Sequence, residues 1–187
     1  MSDRHGGQLS FRSVDGSTWA DFERLFEARG GPKYCWCMAW RATAEEARRL
    51  DGPGRKKAMR RRVQAGVPVG ILAYRDGEPV AWCSIAPRST YRPLGGPEEA
   101  PGENIWSLVC FFVARPMRGQ GLVPLLIQEA EGYARRGGAT VLEAYPVDPE
   151  SPSYRFMGQV RWFKQAGYRE VSRAGTRRHV YRKLLVS

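Results

Sequence analysis

The chain has few of the residues that hold metals. Its 187 residues include two histidines and four cysteines. His5 and His179 lie far apart, and Cys35-Trp36-Cys37 is a C-x-C pair with no second pair at zinc-finger spacing. No metal site is expected. Long apolar runs are missing as well: no stretch approaches the ~20 residues of a membrane span, so no membrane partner is expected. The opening "MSDRHGGQLS" has no apolar core of an export signal. The expectation is a cytoplasmic chain whose cysteines stay as free thiols. Acidic residues are scarce against basic ones, 19 against 30, for a formal net charge of +11.

With 42% hydrophobic residues, the length suits one compact domain over residues 1–187 with a proper core. The positive charge has several readings: attraction of nucleic acid, of an acidic protein, or of a polyanionic small molecule, or a compositional preference for arginine. Its densest segment is "RKKAMRRR", Arg55 to Arg62. That segment lacks interleaved aromatics, and no nucleic-acid motif accompanies it. A solvated helix face is the plain reading. The composition is compatible with a monomer or a homodimer.

Periodicity divides the chain into a mixed α/β order, β-α-α-β-β-β-α-β-α-β-β. Gln8 to Val14 reads as a first strand. Ser17 precedes Trp19, Phe22, Leu25 and Phe26 at helical spacing, a capped amphipathic helix stopped by Gly30-Gly31-Pro32. Thr43 with Glu46 forms a capping-box pattern that opens a basic helix running to about Val63. Asp76-Gly77 between two apolar runs is a hairpin signal. Arg88 to Gly102 is a loop. Asn104 to Ala114 is a strand with little alternation, so both of its faces are covered. Cys83 and Cys110 lie in strand-like runs and read as small core residues. A helix from Gly121 to about Arg136, a strand at "ATVLEAYPV", a helix over Arg161 to Ala166 and a closing pair, "YREVS" and "HVYRKLL", complete the chain.

The stretch "FFVARPMRGQGLVPLLI", Phe111 to Ile127, passes from strand to helix through Arg118-Gly119-Gln120-Gly121. The first N–H groups of a helix have no internal acceptors and, with the helix dipole, attract anions. Glycines let a ligand approach the backbone, and arginine adds a two-pronged phosphate donor. The turn suits a pyrophosphate. A Rossmann fingerprint would need a third glycine where Pro124 stands, and a P-loop would need Gly-Lys-Ser/Thr, which the sequence lacks.

This "V-x-x-x-x-R-G-x-G-x-x-x-x-L", Val113 to Leu126, resembles the acyl-CoA-binding motif of the GNAT superfamily of N-acyltransferases. "FKQAGYREV", Phe163 to Val171, is similar to that family's usual ending, and the element order matches along nearly the whole chain. The resemblance implies a mostly antiparallel sheet of six to seven strands, flanked by helices and splayed at the fourth and fifth strands. It implies an acyl-CoA donor, most simply acetyl-CoA, with a small-molecule amine as acceptor. Backbone amides of Arg118, Gly119, Gln120, Gly121 and Leu122 would hold the pyrophosphate. Phe111, Phe112 and Val113 would pair with the pantetheine arm as with an added strand. An acidic acyl carrier protein is the alternative donor, docked by the basic charge; an aminoacyl-tRNA-linked reaction is a further one.

The family's usual tyrosine acid aligns with Phe163, which has no proton to give. Tyr154 is the expected substitute as acid, or else a surface loop aromatic. The usual acidic base aligns near Ser107, with Glu103 the nearest carboxylate, or else a solvated loop acid. Glu143 and Tyr145 are expected to bind the amine. "KYCWCMAW" falls where the fold places its acceptor wall. Trp36, Met38 and Trp40 would line an apolar acceptor pocket there, or plug the core beneath the sheet. A nucleophilic Cys35 or Cys37 would need a base and an electropositive niche, and no histidine is adjacent.

Overall fold

The computed structural model describes residues 7–185; His5 lies outside the described residues. Strand β1 (Leu9–Ser13) leads into helix α1 (Trp19–Glu27), which buries Trp19, Phe22, Leu25 and Phe26. The N-cap is Thr18 and not the expected Ser17, and its side chain makes no capping bond. Instead the Asp15 carboxylate accepts from the Ser17 and Thr18 backbones at 2.8 and 3.3 Å, closing the turn ahead of the helix.

The basic helix expected from Thr43 to Val63 is two helices, α2 (Ala44–Arg49) and α3 (Gly52–Gln64). The capping box at Thr43 and Glu46 is present. A continuous helix would need Pro53 to donate to the Arg49 carbonyl, and proline has no N–H. Leu50 therefore turns extended, and Asp51 caps the second helix by accepting from Gly54 at 2.8 Å.

Strands β2 (Gly70–Arg75) and β3 (Glu78–Pro87) meet at Asp76-Gly77, both left-handed with φ of 52° and 82°. That geometry matches the twist of the hairpin it closes. After β4 (Ile105–Val113) come α4 (Leu122–Arg136), β5 (Val141–Ala144), α5 (Val160–Gln165), β6 (Arg169–Ala174) and β7 (Arg178–Leu184). The seven strands form one sheet in the order β1-β2-β3-β4-β5-β7-β6, antiparallel except for β4 with β5.

Two irregularities in β4 position the site. Its parallel pairing with β5 runs only from Ile105↔Val141 to Leu108↔Ala144. Pro146 then removes a ladder donor, and β5 departs. β4 continues to Val113, held by β3 alone. Against β3, Ser84 faces Cys110 while Ile85 faces Leu108, so Val109 is an extra, bulged residue where the two strands part.

Side chains pack on both faces of the sheet. Trp106, Leu108, Phe111, Leu126, Ile127 and Phe163 form the cluster under α4 and α5. Phe22, Phe26, Trp36, Met38, Met59 and Trp82 form an aromatic cluster on the other face. Each such side chain contributes about 1.5–3 kcal/mol by leaving water. A smaller group, with Tyr91, Val109, Tyr145 and Met157, fills the foot of the splay. Among the described residues no helix is long and apolar enough to cross a membrane.

Candidate active site

β4 ends in a single 3-10 turn, Arg115–Met117, before the glycines. Gly119 and Gly121 both adopt left-handed backbone, at φ 76° and 75°. A Cβ on either would meet nothing within 4 Å, so the protein leaves open space above the turn. Gly121 is the N-cap of α4, and no side chain caps the helix. The Leu122 and Val123 amides thus face a groove of about 360 Å³ lined also by Val113, Met117, Arg118 and Trp162. Arg118 is steadied by its Nε–H, which donates to the Val113 carbonyl at 3.1 Å. The Gln120 side chain is held between Arg75 and the Pro116 carbonyl. Arg29, Arg115 and Arg118 surround an adjoining concavity, and none has an ion-pair partner among the described residues. Uncapped amides, open space and unpaired guanidinium groups fit a diphosphate.

Arg118 also borders a second cavity, of about 440 Å³, which follows Val109 to Phe112 along the half of β4 that β5 has left. Its other wall is the connection between α1 and α2, through Tyr34, Cys35, Cys37, Ala39 and Trp40, with Phe156 opposite. In that connection Trp36 and Cys37 have positive φ, 50° and 53°. Such backbone costs about 1–2 kcal/mol per non-glycine residue. Burial of Trp36 offsets it, with the indole stacked on Phe26 at 5.5 Å and Trp19 at 6.4 Å. The same backbone sends Trp36 and Met38 into the core, away from the cavity. Of the three residues expected to wall an acceptor pocket, only Trp40 lines this cavity.

Among the described residues no carboxylate or imidazole lines the cavity, but thiols do. Cys110, expected in the core, is half-buried and lines it together with Cys35 and Cys37, while Cys83 is fully buried as expected. Hydrogen bonding by Cys110, then by Trp82, together with the nearby Arg41 guanidinium, holds the Cys37 thiol below the usual thiol range against its burial. The Trp82 Nε1–H donates to Cys37 Sγ at 3.0 Å. Cys110 is raised well above that range by the same contact and by burial. Burial also raises Cys35. Arg41 is itself buried, donating to the Val69 carbonyl at 2.7 Å, Ser84 Oγ at 3.0 Å and the Tyr91 hydroxyl at 2.5 Å.

The other candidates gather elsewhere. Ser107, Tyr145 and Glu143 form one closed chain at the paired end of β4. Ser107 Oγ lies 2.9 Å from the Tyr145 hydroxyl, which donates to Glu143 Oε1 at 2.5 Å. Glu143 is fully buried and accepts from Arg182 Nε at 2.7 Å, with Arg88 at 3.5 Å. Burial, then the Glu143 charge, pushes the Tyr145 hydroxyl well up. Arg88 and Arg182 also donate to the Pro97 carbonyl, at 2.7 and 2.6 Å, so the loop after β3 is pinned over this cluster. Glu103 caps that loop at the Ala100 amide and lies 3.6 Å from Arg182. Six residue steps of extended chain, roughly 20 Å, separate it from Val109. Tyr154 stands at the cavity rim. Its ring is 6.4 Å from Trp40 and 6.2 Å from Phe156, and Arg178 lies over both Trp40 and Tyr154. Phe163 is buried against Phe111. On α3, Arg55 holds the Tyr34 carbonyl, Lys56 pairs with Glu23 and Glu27, and Arg62 pairs with Glu46.

The sequence matches the acetyltransferase (GNAT) family over residues 22–170. No curated protein matches it. Its fold is similar to that of YncA from Salmonella typhimurium, solved with its cofactor acetyl-CoA: TM-score 0.58, 16% identity, covering 95% of this chain and 94% of that one. It is similar to the PaiA N-acetyltransferase of Thermoplasma acidophilum in complex with coenzyme A, at TM-score 0.56 and 12% identity, covering 95% and 99%. It is also similar to a ribosomal-protein-alanine N-acetyltransferase of Brucella melitensis, at TM-score 0.56 and 21% identity, covering 94% and 99%. At these identities the likeness is one of fold.

Proposed function

The chain belongs to the acetyltransferase (GNAT) family, and from that premise we propose that it is an acyl-CoA-dependent N-acyltransferase. In this reading one domain moves acetyl from acetyl-CoA to a primary amine of a small molecule, by direct attack in a ternary complex. The observation that carries it is continuity: the uncapped glycine turn, Arg118 and the freed edge of β4 border adjoining cavities. The amides from Arg118 to Leu122 bind the donor's diphosphate. The edge from Phe111 to Val113 takes the pantetheine arm as an added strand. This brings the thioester to the bulge at Val109, where backbone N–H groups can polarise its carbonyl as negative charge develops. The amine enters between the Tyr34–Trp40 wall and Phe156. The apolar lining favours an acceptor with an apolar or aromatic body.

Melting in millimolar acetyl-CoA tests the donor. A ligand that binds only the native state adds about 2.7 kcal/mol to its stability at one hundred times its Kd, which is several degrees for a chain of this length. No shift would remove the reading. Thiol release over a panel of alkyl- and arylalkylamines then identifies the acceptor. A second reading rests on the unpaired Arg29, Arg115 and Arg118 at the donor mouth: the thioester arrives on an acidic carrier protein. It predicts faster turnover of the carrier thioester than of acetyl-CoA, and a rate that falls steeply with salt.

A further inference from the structure

We propose that Cys37 and Cys110 are the proton-transfer pair of this acyl transfer, Cys37 taking the acceptor's proton and Cys110 protonating the departing thiolate. The inference rests on the acyltransferase reading above and supplies the acid and base that Phe163 and Ser107 do not.

The geometry comes from two elements. Cys110 lies on the half of β4 that has no β5 partner, next to the bulge at Val109, where the reading above puts the thioester. Cys37 reaches the same cavity from the opposite wall, on left-handed backbone held by the buried Trp36. The Trp82 Nε1–H pointing at Cys37 Sγ at 3.0 Å favours a thiolate there. Facing the pair are Arg41 from the end of the wall, Tyr91 after β3, Cys35 on the same wall and Cys83 on β3; among the described residues no carboxylate lines the cavity to oppose the Arg41 charge. Tyr91 and Ser84 also line the cavity, but both hydroxyls are engaged with Arg41 and with each other. Cys110 Sγ–H donates to the Phe111 carbonyl at 3.9 Å, an acceptor that can only receive, so Cys110 carries a proton.

The steps balance. The Cys37 thiolate takes one proton from the ammonium and frees the amine lone pair. The amine attacks the thioester carbon, and the carbon–sulfur bond breaks as the amide forms. The departing thiolate takes the Cys110 proton. Cys37 returns a proton to Cys110, and the second amine proton goes to water. The sum is ammonium plus thioester giving amide, thiol and one proton.

Two measurements on the full chain test this. The first is iodoacetamide alkylation mapped by peptide mass, from about pH 6 to pH 9, with and without millimolar acetyl-CoA. Cys37 should react faster than Cys35 and Cys110 at neutral pH, and acetyl-CoA should protect it. Cys37 reacting no faster than Cys35 overturns the proposal. The second compares Cys37→Ser and Cys110→Ser with the parent on the fastest amine of the panel. Each should keep the acetyl-CoA melting shift and lose about 10²–10⁴ in kcat, the usual contribution of general acid–base catalysis. Cys37→Ser should also lose the acidic limb of the kcat/KM profile. Turnover within about threefold of the parent, with the shift intact, overturns the pair. An acetylated Cys37 in the intact mass overturns it in favour of a covalent relay. A parent chain without any acetyl-CoA shift breaks the donor reading instead, and the alkylation order still decides whether the thiols are poised.

Discussion

Two polar clusters sit at the two ends of β4, and they differ in how completely their groups are satisfied. At the paired end, Ser107, Tyr145, Glu143, Arg88 and Arg182 bond to one another and to the Pro97 carbonyl, beneath a loop that excludes water. At the unpaired end, the α4 amides are uncapped, Arg118 has no carboxylate partner among the described residues, and three thiols line a cavity. A buried polar network that is fully bonded rigidifies its surroundings and offers nothing to a ligand. Groups left open can change partners. The carboxylate, phenol and hydroxyl with the strongest chemical credentials in the sequence are occupied in holding β5 and the loop. On the reading proposed above, the thiols and bare backbone are left for chemistry.

The largest expected effect breaks the closed cluster. Glu143→Ala leaves Arg182 and Arg88 buried beside a missing charge, which costs about 3–5 kcal/mol and lowers the melting temperature by roughly 6–20 °C at this chain length. The acetyl-CoA shift should survive in whatever remains folded. Normal stability with no turnover would mean that this end does the chemistry, and the contrast would be reversed. Two glycines sharpen it. The Cβ of Gly121→Val meets no protein atom within 4 Å, so beyond about 1–2 kcal/mol of left-handed strain its effect should fall on the donor. The KM for acetyl-CoA should rise by about two orders of magnitude, equivalent to ~2.7 kcal/mol. Gly96→Ala does the opposite, because its Cβ would come 2.3 Å from the Glu143 carboxylate. Overpacking there costs about 1–3 kcal/mol, with KM unchanged. A smaller effect is expected at the rim. Tyr154→Phe keeps the ring contacts with Trp40 and Phe156, so kcat should change by less than about fivefold, where loss of a general acid costs 10²–10⁴.

The glycine turn before α4 was legible because its constraints are local. Gly119 and Gly121 are needed for their backbone angles, and the helix start follows from spacing, so a few adjacent residues carry the whole signal. Sheet order and hairpin register were legible for the same reason, through Asp76-Gly77 and the apolar runs. The opposite wall was not. Whether Trp36 or Cys37 faces the cavity depends on two left-handed residues stabilised by distant Trp19 and Phe26, and no local propensity marks them. Cys110 looked like core because its strand is apolar throughout. Its exposure arises from β5 leaving at Pro146, thirty-odd residues later in the chain. Ser107 and Glu143 had the right residue types, but their burial was decided by Arg88 and Arg182, which lie outside both strands' own patterns or across the sheet. The break at Pro53 was readable in principle, since proline within a helical stretch removes a donor.

The smallest expected effect lies where a local signal and a long-range partner meet. Glu46 completes the capping box by accepting from the Thr43 amide at 2.9 Å, and also accepts from Arg62 of α3 at 2.8 Å. The Arg62 bond is the main influence holding its carboxyl below the usual range, against a partial burial that opposes it. A depressed folded-state pKa means that the ionised form stabilises the fold. That stability is complete above the ordinary glutamate value, about 4.3, and is lost as pH falls below it. Glu46→Gln should therefore cost about 1 kcal/mol at neutral pH, the worth of a cap with one charged bond. The difference from the parent should close in acid, as the parent carboxyl is protonated through its lowered value. Urea midpoints of both chains across that range measure it. A gap that stays constant into acid would mean that the box holds α2 by neutral hydrogen bonds, and that Arg62 adds no charge-dependent link between the two helices.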